Sequence, residues 1–320
     1  MEYARISCLD KPLSRLIYGS PDIVMNGSPE EAADCLERAY SYGFRVFDTA
    51  NAYARSEENI GYWLSSTGHR KDIVLCDKGF NPGMVGSEDV YSADTLRAQI
   101  ELSLKRLQTD TLDLYVLHRD DPTRPVSEVI DLLNDYKRQG ILRAFGASNW
   151  TFERIREAEA YAGEKGLETF SVVSPCYSLA EFTRDPWGGS VTLSGNKNKP
   201  YRDYLARRGL PVFTYSSLAR GYLSGKYRTD MDKPIEEVLW WAPIREYHTE
   251  KNLRRLKKAE DLARKKGVGV STIALAWLLH EPMNLFPIIS PTGAEHIEEA
   301  LQVFDLSLTE DELSSLTKEE

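Results

Sequence analysis

Apolar runs of strand length recur eight times along the chain, and most are followed by a segment with helical spacing. The runs are RLIYGS (15–20), FRVFDT (44–49), DIVLCDK (72–78), TLDLYVLH (111–118), LRAFGAS (142–148), FSVVS (170–174), PVFTYS (211–216) and NLFPIIS (284–290). Strands alternating with helices predict a parallel sheet of the α/β class. Eight such units predict a closed (β/α)8 TIM barrel over a doubly wound sheet. A length of 320 residues suits one such barrel, and no linker-like or low-complexity stretch divides it, so residues 1–320 read as one domain.

The helices carry their own punctuation. Ser28, Pro29 and Glu31 form a capping box with a helix-starting proline, and Gly43 supplies the stop. Leu96, Ile100, Leu104 and Leu107 fall on one helical face. SEVIDLLNDYKRQG (127–140) and FERIREAEAYAGEKG (152–166) each end in glycine, and KNLRRLKKAEDLARKKG (251–267) is a charged amphipathic helix whose basic face is expected to be solvated. The aromatic stretch 217–249 is expected to form a large irregular loop over one barrel end.

Composition excludes several classes of function. The net charge of −9, with no Lys/Arg cluster, argues against a nucleic-acid footprint. The first residues lack the apolar run of a signal peptide, and no stretch is apolar for long enough to span a membrane. Cys8, Cys35, Cys76 and Cys176 are scattered, which disfavours a metal or disulfide framework and suits a reducing cytoplasm. Each reads as a small buried hydrophobe.

In a parallel barrel the C-terminal strand ends form the active face. Strand two ends on Asp48, strand three on Lys78, strand four on His118, strand five on Ser148 and Asn149, and strand seven on Tyr215 and Ser216, with Tyr53 in the loop after Asp48. A tyrosine hydroxyl is a sluggish proton donor at neutral pH. An adjacent ammonium favours its phenolate, so Lys78 can make Tyr53 more acidic while Asp48 keeps the lysine charged and oriented. A histidine at the same point can donate a hydrogen bond to a polarised oxygen, giving an acid that protonates a developing alkoxide. The set lacks an electron source, which implies a hydride-donating cofactor. Taken singly, each residue has a plainer reading: an Asp-Thr helix cap, a solvated lysine, a loop histidine. Their joint occurrence at consecutive strand ends favours a site.

With FDTANAYARSEENIG, the DK ending at Lys78, LDLYVLHRDDP, FGASNW, TYSSLARGYLSGKY and ISPTGAEHIEEAL in this order, the chain resembles the aldo-keto reductase superfamily over nearly its full length. The resemblance implies a barrel with NADP(H) lying extended across the rim. It implies Tyr53 as general acid, Asp48 and Lys78 as its tuning pair, and His118 as the group orienting the carbonyl. A histidine rather than a glutamate there implies carbonyl–alcohol interconversion. Ser148 and Asn149 match positions holding the nicotinamide carboxamide, Tyr215 the stacking aromatic, and Ser216, Leu218 and Gly221 the stretch under the pyrophosphate. Two departures stand out. Ser174 takes the place of a usual glutamine, so that carboxamide contact is expected to be missing or shorter. The 2′-phosphate positions fall on Ser290, His296, Glu299 and Ala300, with no arginine in ISPTGAEHIEEA. A phosphate there would rely on Ser290, Thr292, His296 and helix-start amides. NADP(H) is favoured, with NAD left open.

Tyr18, Trp63, Phe80, Trp150, Trp187, Tyr222, Trp240 and Trp241 are candidate walls of a pocket for an aldehyde, ketone or sugar, each equally readable as packing. Two rival readings are a cofactor-binding regulatory subunit without turnover and a metal-dependent barrel hydrolase or epimerase. The intact quartet argues against the first, and the absence of an H-x-H against the second. The sequence leaves the oligomeric state open.

Overall fold

A two-stranded antiparallel hairpin, β1 (Tyr3–Ala4) with β2 (Leu13–Ser14), precedes the main sheet. In the computed structural model, which describes residues 1–81, 91–185 and 188–318, eight further strands follow. They are β3 (Ile17–Tyr18), β4 (Val46–Asp48), β5 (Val74–Gly79), β6 (Leu112–Leu117), β7 (Leu142–Ser148), β8 (Val172–Ser174), β9 (Val212–Thr214) and β10 (Leu285–Ile289). These eight close into a parallel barrel in sequence order, the (β/α)8 architecture expected from the alternating pattern. All eight lie on predicted runs, with trimmed ends, and β5 runs one residue beyond Lys78 to Gly79. The hairpin was not predicted; two-residue strands carry no period to detect.

The helices are α1 (Asp22–Asn26), α2 (Pro29–Ser41), α3 (Ser56–Thr67), α4 (Ala93–Arg106), α5 (Ser127–Arg138), α6 (Phe152–Lys165), α7 (Lys199–Arg208), α8 (Trp241–Tyr247), α9 (Glu250–Lys266), α10 (Val270–His280), α11 (Ala294–Leu301) and α12 (Glu310–Thr317). The capping box at α2 is present, with Ser28 and Glu31 exchanging backbone and side-chain hydrogen bonds. Within 217–249, α8 and two short 3-10 turns order a stretch expected to be irregular. Among the described residues, no helix is long and apolar enough to cross a membrane.

The chain divides into two compact units, Met1–Ser174 with Leu210–Val212, and Pro175–Gly209 with Phe213–Glu320. In the first, Tyr18 and Trp63 belong to the core rather than to a pocket. Tyr18 is 1% exposed, its hydroxyl lies 3.1 Å from Cys35 Sγ on α2, and its ring meets Phe44 edge-on. Trp63 is fully buried against Phe47, and its indole N–H donates to Glu37 at 2.9 Å. Truncating such a side chain costs about 3–5 kcal/mol. In the second unit, the basic face of α9 is partly paired rather than simply solvated. Lys265 and Lys266 reach Glu312 on α12 at 3.0 and 2.8 Å. All four cysteines are free thiols, with Cys35, Cys76 and Cys176 buried.

Candidate active site

Strands β4, β5 and β6 are adjacent and in register, with Asp48 opposite Cys76 and Lys78 opposite Val116. Asp48, Lys78 and His118 therefore arrive at one end of neighbouring strands. The Lys78 ammonium donates to Asp48 Oδ2 at 2.6 Å and to the Thr49 carbonyl at 2.8 Å. Both side chains are almost fully buried, Asp48 at 4% and Lys78 at 3% exposure, so water screens the pair little. Burial presses the lysine toward neutrality, but attraction to Asp48, Tyr53 and Cys76 outweighs it and the net shift is upward. Lys78 is thus a firm cation in an apolar setting.

Tyr53 sits in the turn that joins β4 to α3. Asn51 N–H donates to the Lys78 carbonyl at 2.7 Å, Tyr53 N–H to Ala50 O at 2.9 Å, and Ser56 N–H to Tyr53 O at 2.8 Å. These bonds fix the turn against β5. The Lys78 Nζ lies 5.1 Å from the Tyr53 ring centroid, and the His118 ring stands edge-on to it at 5.7 Å. Burial, Lys78 and Arg119 together push His118 well below the usual histidine range, so its imidazole is neutral near pH 7. The four residues expected to converge are therefore brought together. Asn81, beyond the predicted strand, was missed: its Nδ2 lies 3.3 Å from His118 Nδ1.

Behind this cluster, on α3 and α4, lies a second buried polar group that sequence reasoning also missed. Glu57 accepts from Ser103 at 2.5 Å and from Arg106 at 2.8 Å. Asp77 is fully buried, and the Ser103 hydroxyl and Lys78 N–H approach its carboxylate without making hydrogen bonds of ordinary geometry. Burial, followed by repulsion from Glu57, holds Asp77 well above the ordinary carboxylate range.

Ser148 and Asn149 close the end of β7. Ser148 Oγ donates to the Ser174 carbonyl at 2.7 Å, while Asn149 Nδ2 donates to the His118 carbonyl at 3.0 Å and to Ser148 Oγ at 3.1 Å. Asn149 adopts a left-handed φ of 59°, a conformation that non-glycine residues hold mainly where surroundings demand it. Ser174 Oγ is buried and has no partner among the described residues. Phe80, Tyr91 and Trp150 line a small cavity with Asp120 and Arg154, so Phe80 and Trp150 do border open space.

In the second unit, Tyr215 N–H donates to Pro175 O at 3.2 Å. Ser216, Ala219 and Arg220 are left-handed, and the loop is closed by Ala219 N–H to Ser216 O and Gly221 N–H to Leu218 O. Arg220 Nε lies 2.9 and 2.8 Å from the oxygens of the fully buried Glu246. Burial pushes Glu246 up to about 6, with Arg220 pulling it back. Ser290, Thr292 and His296 are exposed around the start of α11. The Glu299 carboxylate accepts from Ser271 and its carbonyl from Thr272, both on α10. Tyr222 is fully buried packing rather than a pocket wall, while Trp240 and Trp241 are about half exposed. Trp187 lies outside the described residues. No cluster of His, Cys, Asp and Glu suited to a metal occurs among the described residues.

Residues 16–319 match the model of the aldo/keto reductase family. The uncharacterized oxidoreductase YrpG of Bacillus subtilis (strain 168) is 28% identical, over 99% of this chain and 95% of its own. Aldo-keto reductase yakc of Schizosaccharomyces pombe, whose name carries NADP(+), is 29% identical over 88% of this chain and 81% of its own. A crystal structure of a thermostable aldo-keto reductase, Tm1743, with the inhibitor epalrestat superposes with a TM-score of 0.72 at 24% identity, covering 99% of both chains, and so shares the fold.

Proposed function

The chain belongs to the aldo/keto reductase family of oxidoreductases, and from that premise we propose that it interconverts carbonyls and alcohols using NADP(H), with Tyr53 as the proton donor. The observation that carries this reading is a buried ammonium, clasped by Asp48 at 2.6 Å, lying 5.1 Å from the Tyr53 ring with the neutral His118 ring beside it. When bound, the nicotinamide supplies a hydride to the carbonyl carbon. Tyr53 gives its hydroxyl proton to the oxygen as negative charge gathers there. Lys78 stabilises the phenolate left behind, since attraction between an ammonium and a phenolate favours the charged form of both. Asp48 holds that ammonium in place. A neutral His118 donates a hydrogen bond to the same oxygen without repelling Lys78.

The chain's own residues offer groups that would hold the cofactor. The unpartnered, buried Ser174 Oγ is a hydroxyl waiting for a polar ligand atom, and a carboxamide would supply one. Ser148 and Asn149 would then act by bracing the ends of β6, β7 and β8. Tyr215 would stack on the ring, and the Ser216–Leu218–Gly221 loop would run under the pyrophosphate. Ser290, Thr292 and His296 are the groups that would meet a 2′-phosphate.

Tyr53→Phe tests the assignment. It removes one hydroxyl, so NADPH should bind with an unchanged Kd while kcat for carbonyl reduction falls by about 100- to 10,000-fold. A variant keeping most of its kcat would overturn it.

A further inference from the structure

Which nitrogen of a neutral histidine carries the proton decides what the ring can offer a substrate oxygen. Asn81 Nδ2 lies 3.3 Å from His118 Nδ1. With its amide nitrogen toward the ring, Asn81 donates, which makes Nδ1 the acceptor and places the ring's single proton on Nε2. We propose that Asn81 is a positioning residue that holds His118 as the Nε2–H tautomer, and that the turn after β5 is built to deliver it. The proposal rests on the reading of His118 as the carbonyl-orienting group and adds the source of its donor.

The turn shows the construction. Strand β5 overshoots Lys78 by one residue, and that residue must be glycine: a Cβ at Gly79 would lie 1.9 Å from the Tyr115 hydroxyl oxygen. The next residue, Phe80, is left-handed at φ 69°, which costs on the order of 1–3 kcal/mol for a residue of this size. Its N–H is caught by the side-chain carbonyl of Gln99 on α4. His118 N–H donates to Gly79 O at 2.7 Å, locking the ends of β5 and β6 together. Gln99 and the reversed backbone of Phe80 thus place Asn81 one residue later, against the His118 ring. The ring is also kept neutral, by burial and by the cations Lys78 and Arg119, so a single tautomer is there to be chosen. A carboxylate in place of the amide would invert the choice. It only accepts, so it would draw the proton to Nδ1 and leave a lone pair on Nε2 facing the substrate oxygen.

The proton can be seen directly. The chain has five histidines, and in protein labelled with 15N-histidine the His118 signals are those lost in His118→Gln. In long-range 1H–15N spectra at neutral pH, the unsubstituted protein should show His118 protonated at Nε2. Asn81→Asp should move the proton to Nδ1, and Asn81→Ala should give a mixture. With NADPH and a reducible aldehyde, Asn81→Asp should lower kcat on the order of a hundredfold at an unchanged NADPH Kd. A wild-type ring protonated at Nδ1, or an Asn81→Asp ring still protonated at Nε2, would overturn the proposal. These spectra read the tautomer even if no carbonyl is turned over, so the tautomer and the proposed reaction can fail separately.

Discussion

Lys78 is held charged at 3% exposure, where an isolated ammonium would shed its proton. Asp48 supplies the counter-charge, the Thr49 carbonyl a second acceptor, and the Tyr53 phenolate a further attraction. The same attraction favours the phenolate, so removing the ammonium should make Tyr53 harder to ionise. Alcohol oxidation needs the phenolate as base; the rising limb of its pH profile should move to higher pH in Lys78→Met, with kcat at pH 7 down about a hundredfold or more. An unmoved limb would show that Lys78 does not tune Tyr53. Lys78→Met also strands Asp48 as a buried unpaired carboxylate, a loss of about 3–5 kcal/mol. The pH profile should therefore be repeated in Asp48→Asn/Lys78→Met, where that penalty is gone and the shift should persist. Asp48, Lys78 and His118 were legible in the sequence because in a parallel barrel chemistry collects at strand ends and those ends can be counted, and Tyr53 because it follows Asp48 in the connecting loop. Asn81 was not, because its role depends on the reversed φ of Phe80, which no pattern of apolar residues encodes. Ser174 was read as a weakened contact, and only burial reveals its hydroxyl as an orphan.

At the scale of the strand, the difficulty is direction. Every residue of β5 and of β6 is buried, so neither strand shows an apolar–polar alternation to say which side chains face the barrel and which face the helices. Tyr18 on β3 and Trp63 on α3, readable from sequence as either pocket wall or packing, both pack into the core. Asp77 and Lys78, adjacent in sequence, have opposite fates. Lys78 joins Asp48, whereas Asp77 meets the buried acid Glu57 near α3 and α4. Asp77 is the less stable arrangement. Its folded-state pKa is raised, so the carboxyl costs nothing below the unfolded value of about 4. As pH climbs above that value the unfolded chain ionises freely, and the penalty grows by about 1.4 kcal/mol per pH unit until the folded pKa is reached. Asn keeps the shape without the titration. Asp77→Asn should therefore raise Tm at pH 8 by a few degrees and lose most of that gain near pH 4. A gain that is as large at pH 4 as at pH 8 would mean that the ionisation of Asp77 is not the cause.

At the scale of the molecule, the barrel follows from strand–helix repetition along the chain and the family from motifs kept in order, neither of which a net charge or a composition could have supplied. Cofactor choice is different, because it hangs on a few groups after β10. The start of α11 offers Ser290, Thr292 and His296, all exposed, and backbone amides that favour an anion. It also carries Glu295 on its first turn, with Glu298 following, and no arginine. Hydrogen bonds of this kind contribute about 1 kcal/mol each, and neighbouring carboxylates subtract from that. A 2′-phosphate should therefore be preferred, but only by about tenfold in Kd, one decade being 1.4 kcal/mol. Preference for NADPH over NADH should then narrow in His296→Ala, read by fluorescence titration of both cofactors at fixed ionic strength. Equal affinities for the two cofactors would leave the phosphate without a site on this helix.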